Sequence, residues 1–167
     1  MGRTARRLVA VVLALAASAC AGPEGADPAP GARSAPVRVM KVTDGDTIRV
    51  RRGGVEERVR LIGIDAPEVD WYGGEAECFG EEAGRFAEGL LEGRDVRLEL
   101  DREEFDRYGR TLAYVYSEGR MINEVLVRRG FATVSIYLPN ERQHAVDLLA
   151  AEARARADGA GLWSACG

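Results

Sequence analysis

The chain contains 167 residues, with 23 Lys and Arg against 27 Asp and Glu, and a formal net charge of −4. One compact domain is the default at this length. Apolar residues make up 46% and charged residues 30%, which excludes a fully disordered chain, a collagen-like chain and a polytopic membrane protein. The single histidine, His144, excludes zinc sites built from several histidines.

The N-terminal segment has the pattern of an export signal. Three arginines precede an apolar run over residues 8–20, and these 13 residues are too few to span a bilayer, which takes about 20. The pattern predicts a signal peptide over residues 1–19. Two maturation routes stay open: cleavage at an Ala-x-Ala site, or a lipoprotein box in which Cys20 becomes the lipidated first residue. Either route places the protein outside the cytoplasm, lipid-anchored on the outer face of the membrane or secreted.

Residues 20–36 are rich in alanine, glycine and proline and contain no large apolar side chain. Such a segment cannot bury enough surface to fold, so we expect a linker here and a folded domain over residues 37–167. Without the signal, the mature chain has 20 basic and 27 acidic residues, a net charge of −7. Proteins that bind nucleic acid through their overall charge are usually basic, so we do not expect this chain to bind nucleic acid tightly through its total charge.

Three strands are predicted at the start of this domain. Strand patterns cover residues 37–42, 46–52 and 55–64. The Gly53-Gly54 pair between the last two is typical of a two-residue hairpin turn.

One helix and two more strands follow. The helix is indicated by apolar residues at helical spacing. These are Ala83, Phe86, Ala87, Leu90 and Leu91. Residues 96–101 alternate apolar and charged side chains, and residues 112–116 form another strand pattern.

Two further helices are predicted near the C-terminus. A short one contains Ile122 and ends at Gly130, and a longer one begins near Asn140. The apolar stripe of the longer helix consists of Ala145, Leu148, Leu149 and Ala153. Five strands with a helix between the third and fourth predict an α+β chain, mainly β, built as a five-stranded OB-fold barrel with three α-helices.

The single histidine stands among polar residues. His144 lies near Glu141, Arg142 and Asp147, so we expect a solvated surface side chain rather than a catalytic one. The chain also lacks the phosphate-loop, dinucleotide-binding and nucleophile-elbow motifs.

Three short segments carry carboxylates and arginines in the predicted strand ends and turns. They read DGDT at residues 44–47, RLIGIDAPE at residues 60–68 and DRYGR at residues 106–110. Each alone is a common turn or strand entry. Jointly they suit phosphodiester hydrolysis, because arginine forks match the phosphoryl oxygens on which negative charge develops.

The carboxylates of these segments favour a hard cation. Asp46 and Asp65 offer oxygen ligands with no sulfur or nitrogen ligand nearby in the sequence, which favours Ca²⁺ or Mg²⁺ over zinc. Glu68 follows Asp65 by three residues and can orient or deprotonate a water molecule.

The order and spacing of these segments resemble the staphylococcal nuclease (thermonuclease) family. That family has DGDT, then R-L-x-x-x-D-x-P-E, then D-x-Y-G-R, and further matches extend the resemblance over residues 37–164. The resemblance implies the OB barrel with three helices. It also implies a calcium-dependent endonuclease that hydrolyses DNA and RNA by metal-assisted attack of water and leaves 3′-phosphate ends.

Roles for individual residues follow from the resemblance. It makes Arg60 and Arg110 the phosphate-binding arginines and Glu68 the general base. It also makes Tyr108 a contact to a terminal phosphate or a base.

The resemblance also implies a Ca²⁺ site. Its ligands would be the carboxylates of Asp46 and Asp65 and the backbone carbonyl of residue 66. Ala66 stands where the family often has threonine, and a carbonyl ligand tolerates that change.

The chain departs from the family pattern in residues 69–80. Trp71, Tyr72 and acidic residues replace a lysine-rich loop, so the two aromatic side chains are expected either to stack on substrate or to pack within the loop. Residues 134–139 also differ, and we assign no base-contacting role to Tyr137.

The cysteines predict a disulfide. If Cys20 is lipidated or removed, Cys78 and Cys166 remain as an even pair in an oxidising compartment. We expect the mature protein to be a monomer.

A second class of function stays open: a catalytically silent OB module that binds nucleic acid or a partner. The presence of Arg60, Glu68 and Arg110 together favours the nuclease, since a binding module would be free to lose them.

Overall fold

A computed structural model describes three stretches of the chain, residues 31–69, 76–137 and 143–166. Cys20, the signal peptide expected over residues 1–19, and the side chains of Trp71 and Tyr72 lie outside these stretches. None of the helices in the described stretches has the length and apolar character needed to cross a membrane.

The described residues form eight strands and four helices. In chain order these are β1 (Val37–Val42), β2 (Thr47–Arg52), β3 (Val55–Leu61), β4 (Ile64–Asp65), α1 (Gly80–Leu91), β5 (Asp95–Phe105), β6 (Thr111–Ser117), β7 (Arg120–Met121), α2 (Ile122–Arg128), β8 (Thr133–Val134), α3 (Ala145–Ala157) and α4 (Leu162–Ala165). Three of the helices are substantial, as predicted, and α4 is an additional short turn.

Five strands close into a barrel. They are ordered β3-β2-β1-β5-β6 with antiparallel neighbours, and a parallel pairing of β3 with β6 closes the ring. In that pairing Arg60 lies opposite Leu112. This mixed, mainly β arrangement confirms the predicted OB-fold barrel.

The core follows the alternation read from the sequence. Val39, Val50, Val59 and Leu98 point inward from successive barrel strands and are at most 1% exposed. Helix α1 packs its predicted apolar face against this core, with Ala83, Ala87 and Leu91 buried and Phe86 and Leu90 partly buried. The helix begins at Gly80, earlier than the apolar pattern indicates.

Helix α3 differs from the prediction in its start and in its buried face. It begins at Ala145 rather than near Asn140, and its buried residues are Leu148, Ala151 and Ala155. The predicted stripe was wrong at Leu149, which is 51% exposed, and at Ala153, which is also exposed. The buried residues instead follow the helical spacing i, i+3 and i+7 from Leu148, and Glu152 beside them accepts at its Oε1 a hydrogen bond of 2.8 Å from the backbone N–H of Val134.

His144 is not a solvated surface residue, contrary to the expectation from its neighbours. Its Nε2 lies 2.7 Å from Oε1 of Glu99, a carboxylate that is only 3% exposed. The imidazole also packs edge-on against the ring of Tyr114. The sequence neighbours of His144 are polar, but the barrel strand that faces it supplies a buried partner.

Part of the segment expected to be a linker lies against the barrel. The N–H of Gly31 donates to the carbonyl of Leu100, and the N–H of Ser34 donates to that of Leu98. Arg33 pairs with Glu99 at 3.2 Å. Residues 31–34 therefore run along β5.

A disulfide joins Cys78 to Cys166, the two cysteines expected to pair. It connects the residue two before the start of α1 with the residue after α4 and encloses a separation of 88 residues.

Removing this disulfide is expected to destabilise the domain. The double variant Cys78→Ser/Cys166→Ser should lose about 2–5 kcal/mol of unfolding free energy, because the unfolded chain regains the entropy that the cross-link removes. Urea unfolding of the variant and of the wild-type protein, with and without reductant, measures the difference. Equal stabilities of oxidised wild type and variant would contradict the expectation.

Candidate active site

The turn between β1 and β2 places Asp46 next to Ala66, the residue that follows β4. The N–H of Asp46 donates to Oδ1 of Asp44, and Oδ2 of Asp46 accepts a 2.8 Å hydrogen bond from the N–H of Ala66. Gly45 is required here, because a Cβ on it would lie 2.5 Å from the Cβ of Ala66. The result is a buried carboxylate held against residues 65 and 66.

Arg60 joins the two carboxylates predicted as metal ligands. It lies opposite Thr47 in the β2–β3 ladder, which brings its side chain over the turn that contains Asp46. Its Nη1 is 2.9 Å from Oδ2 of Asp46, and its Nη2 is 2.9 Å from Oδ1 of Asp65. The predicted cluster is therefore assembled, with the guanidinium bound to both carboxylates.

The environment of Asp46 disfavours its charge. Burial, together with the neighbouring carboxylates of Asp44 and Asp65, raises its pKa from 3.8 to about 7, although the Arg60 guanidinium and the N–H of Ala66 act in the opposite direction. A cation bound to this carboxylate would favour its ionised form.

The raised pKa of Asp46 predicts a pH-dependent stability in the metal-free protein. The folded state keeps a proton that the unfolded chain has lost, so unfolding free energy should fall as pH rises from the ordinary pKa of 3.8 to about 7. Asp46→Asn removes this contribution, which amounts to at most about 1.4 kcal/mol per pH unit. Urea midpoints of both proteins in chelator, between about pH 5 and 8, measure it. Parallel pH profiles would contradict the assignment.

Glu68 is held through its backbone. Its N–H donates to Oε2 of Glu77 at 3.1 Å, and its carbonyl accepts the N–H of Glu77 at 3.0 Å. Gly80 allows α1 to approach this loop, because a Cβ there would lie 2.4 Å from the Glu68 carbonyl oxygen. Burial and the charge of Asp44 raise the pKa of Glu68, while Arg60 lowers it. A raised pKa makes Glu68 a stronger base.

Arg110 and Arg60 line the same cavity. This cavity has a volume of about 500 Å³. Asp106 organises the turn before β6 by accepting hydrogen bonds from the N–H of Tyr108, the N–H of Arg110 and Nε of Arg110. Burial alone would raise the pKa of Asp106, but these bonds and the Arg110 charge lower it.

Aromatic side chains line the same cavity. Tyr108 is 58% exposed and packs near the guanidinium groups of Arg107 and Arg110. Phe105 and Tyr137 also line it and are exposed. Neither residue was predicted to have a role in the site. In the sequence, Phe105 could have been recognised as a candidate because it is a large apolar residue among charged residues at the end of β5.

The donor set fits a hard cation. The described residues contain no group of three or more His, Cys, Asp and Glu side chains arranged around one metal position. Two carboxylates, of Asp46 and Asp65, and the carbonyl of Ala66 provide oxygen donors of the kind Ca²⁺ prefers. Because Arg60 now binds both carboxylates, a cation would share or replace its contacts.

Comparison with known proteins identifies the family. Residues 58–165 match the model of the staphylococcal nuclease homologue family. The chain is 44% identical over 103 residues to "Thermonuclease" of Staphylococcus hyicus, covering 62% of this chain and 61% of that protein. It is 34% identical over 136 residues to "Endonuclease YncB" of Bacillus subtilis (strain 168), covering 78% of this chain and 63% of that protein.

These matches cover about three fifths of the length of the relatives. The family model covers more than half of this chain, and the barrel has the expected topology. The chain belongs to the staphylococcal nuclease homologue family.

Proposed function

We propose that this protein is a calcium-dependent endonuclease that hydrolyses DNA and RNA and leaves 3′-phosphate ends. The observation that carries the proposal is the cluster of Asp46, Arg60 and Asp65 beside Glu68, at a cavity that Arg110 also lines. The names of the relatives, a thermonuclease and an endonuclease, support the same class of reaction.

The arginines bind the phosphate. Arg60 and Arg110 line one cavity, so a phosphodiester placed there meets two guanidinium groups. Their forked N–H donors stabilise the charge that develops on the phosphoryl oxygens as the phosphorus becomes five-coordinate.

Glu68 takes the proton of the attacking water. The water oxygen forms a bond to phosphorus, the bond from phosphorus to the 5′-oxygen breaks, and the leaving oxygen is protonated from solvent. Because the bond to the 5′-oxygen is the one that breaks, the phosphate stays attached to the 3′-oxygen. Because the nucleophile is water, the reaction needs no ribose 2′-hydroxyl, and both DNA and RNA can serve as substrates.

Asp46, Asp65 and the carbonyl of Ala66 would hold calcium. When bound, the ion supplies Lewis-acid polarisation of the phosphate and a site for water. The raised pKa of Asp46 supports this part of the proposal, since a buried carboxylate of that kind gains from a neighbouring cation.

End analysis of the products tests the proposed reaction. The purified protein is incubated with 5′-labelled single-stranded DNA and RNA in calcium, and the products are treated with a 3′-phosphatase. We expect both strands to be cut internally and the labelled products to change mobility after phosphatase. Binding without cleavage would favour a silent OB module, and products already ending in 3′-hydroxyl would overturn the stated bond cleavage.

We further propose that the domain acts outside the cytoplasm. The signal pattern of residues 1–19 and the Cys78–Cys166 disulfide both support export. Cell fractionation of the full chain and of Cys20→Ser distinguishes the two routes. Membrane association that is lost in the variant supports a lipid anchor, equal secretion of both supports a free protein, and retention of both in the cytoplasm overturns the proposal.

A further inference from the structure

The outer face of β1, β2 and β3 is strongly basic. The side chains exposed on these strands are Arg38, Met40, Lys41, Arg49, Arg51, Val55, Glu56 and Arg58. Five of the eight are cations and one is a carboxylate. This is unexpected in a chain with a net charge of −4. We call Arg38, Lys41, Arg49, Arg51 and Arg58 the basic face.

The cations of the basic face lie beside one another in the sheet. Lys41 is opposite Arg49 on β2, and Arg49 is opposite Arg58 on β3. Like charges directly opposite each other destabilise a sheet. A row of three cations therefore does not stabilise the fold, whereas it is suited to binding a polyanionic ligand.

Carboxylates compensate this charge only in part. Arg49 pairs with Glu56 at 3.2 Å, and Arg38 pairs with Asp95 at 3.4 Å, all with exposed side chains. Exposed pairs of this kind contribute little and are easily exchanged for another anion. Within the described stretches, neither Lys41 nor Arg58 has a carboxylate within 4.0 Å.

The basic face continues into the cavity of the candidate active site. Arg58 and Arg60 are two residues apart on β3 and so point to the same side of the sheet, about 7 Å apart along the strand. Nη2 of Arg58 donates a 2.9 Å hydrogen bond to the carbonyl of Tyr108, which lines the cavity. The row of cations therefore starts at the cavity wall and crosses β3, β2 and β1.

We propose that the basic face binds the phosphates of the substrate strand that flank the cleaved bond. This inference rests on the proposed nuclease function and extends it, because it defines a surface on which a long strand is held outside the cavity. Its contribution falls with rising salt, since each bound phosphate releases counterions. A dinucleotide reaches the cavity but not the far strands of the face.

The test uses two triple variants with the same change in charge. Lys41→Gln/Arg49→Gln/Arg51→Gln removes three of the five cations of the basic face and keeps Arg58, which contacts the Tyr108 loop. Arg120→Gln/Arg129→Gln/Arg154→Gln neutralises three exposed arginines elsewhere in the chain, on β7, at the end of α2 and on α3. KM is measured for a long single-stranded DNA oligonucleotide and for a dinucleotide, in calcium and over a range of salt.

The basic-face variant should raise the ratio of KM for the long strand to KM for the dinucleotide by about 10-fold. The slope of log KM against log salt should become shallower by about 2, since each lost single-strand contact accounts for about 0.7. The control variant should leave the ratio near that of wild type. Equal ratios in both variants would overturn the proposal.

Two further outcomes are distinguishable. If wild type cleaves neither substrate, the proposed nuclease function fails, and the basic face is then judged by direct binding of the labelled oligonucleotide to the same three proteins. If the basic-face variant loses binding to phosphatidylglycerol vesicles while its KM ratio is unchanged, the face serves a membrane surface and the proposal is overturned.

Discussion

Glu68→Gln is expected to lower kcat for DNA cleavage by about 10²–10⁴-fold, the usual contribution of a general base. The variant keeps the size of the side chain and removes its ability to accept a proton. The hydrogen bonds with Glu77 are made by the backbone of residue 68 and are also kept. Calcium binding, followed by titration calorimetry, should change little. Steady-state and single-turnover rates on labelled single-stranded DNA measure the loss.

A matched variant separates this effect from a general change in charge. Glu81→Gln alters an exposed glutamate of α1 that pairs only with Arg85 among the described residues. It should keep the wild-type rate. A rate close to wild type in Glu68→Gln would mean that another group accepts the proton.

Arg110→Ala is expected to lower kcat by about 10²–10³-fold, the usual loss when one donor to a developing oxyanion is removed. Arg110→Lys should recover little of this loss, because an ammonium group keeps the charge but lacks the planar fork. The same variant tests the Asp106 turn, since Nε of Arg110 is 2.7 Å from Oδ2 of Asp106. Single-turnover rates and urea unfolding on the same samples distinguish lost catalysis from lost stability.

Arg85→Ala is the control for this prediction, because Arg85 is exposed on α1 and pairs with Glu81 and Glu82. It should retain both rate and stability. If Arg110→Ala cuts DNA at the wild-type rate, the phosphate is bound elsewhere.

The barrel could be predicted from sequence because its strands follow simple alternation. Val37–Val42 appears with the bounds expected from its pattern, and the glycine pair after Arg52 marks the hairpin that joins β2 to β3. The parallel pairing of β3 with β6 could not be derived from local pattern, since it joins residues far apart in sequence. It follows only from the OB-fold barrel as a whole, which the number of strands and the position of the helix predicted and the family resemblance supported.

Helix α3 shows where periodicity misleads. Leu149 fits an apolar stripe but is exposed, while the small side chains of Ala151 and Ala155 are the ones buried. Apolar residues at helical spacing lie on two neighbouring faces of this helix, one with Ala145, Leu149 and Ala153 and one with Leu148, Ala151 and Ala155, and the local pattern does not show which face is buried.

The candidate site was predicted in membership but not in pairing. The structure brings Asp46, Asp65 and Arg60 of the predicted site together, with Arg60 bridging the two carboxylates. Phe105, an exposed aromatic residue that lines the cavity, was not predicted, because spacing along the chain does not show which side chains share a cavity. Side-chain contacts of this kind depend on the closed barrel and cannot be predicted from the local sequence.

The basic face could not be predicted from the net charge of the chain. An excess of acidic residues predicts weak long-range attraction to nucleic acid, yet strand register gathers cations from three strands onto one side of the sheet. Because alternate residues of a strand face opposite sides, the distribution of charge depends on pairing and register as well as on composition.

The dependence of cleavage rate on free calcium tests the central claim most directly. The initial rate of single-stranded DNA cleavage is measured in EGTA and then at increasing free calcium, for wild type and Asp46→Asn. Because the protein supplies few ligands, we expect no cleavage in EGTA and a half-maximal rate at about 10⁻⁴–10⁻³ M calcium in wild type. The response should be lost or strongly weakened in Asp46→Asn. A full rate in EGTA, or the same calcium response in both proteins, would contradict the proposed site.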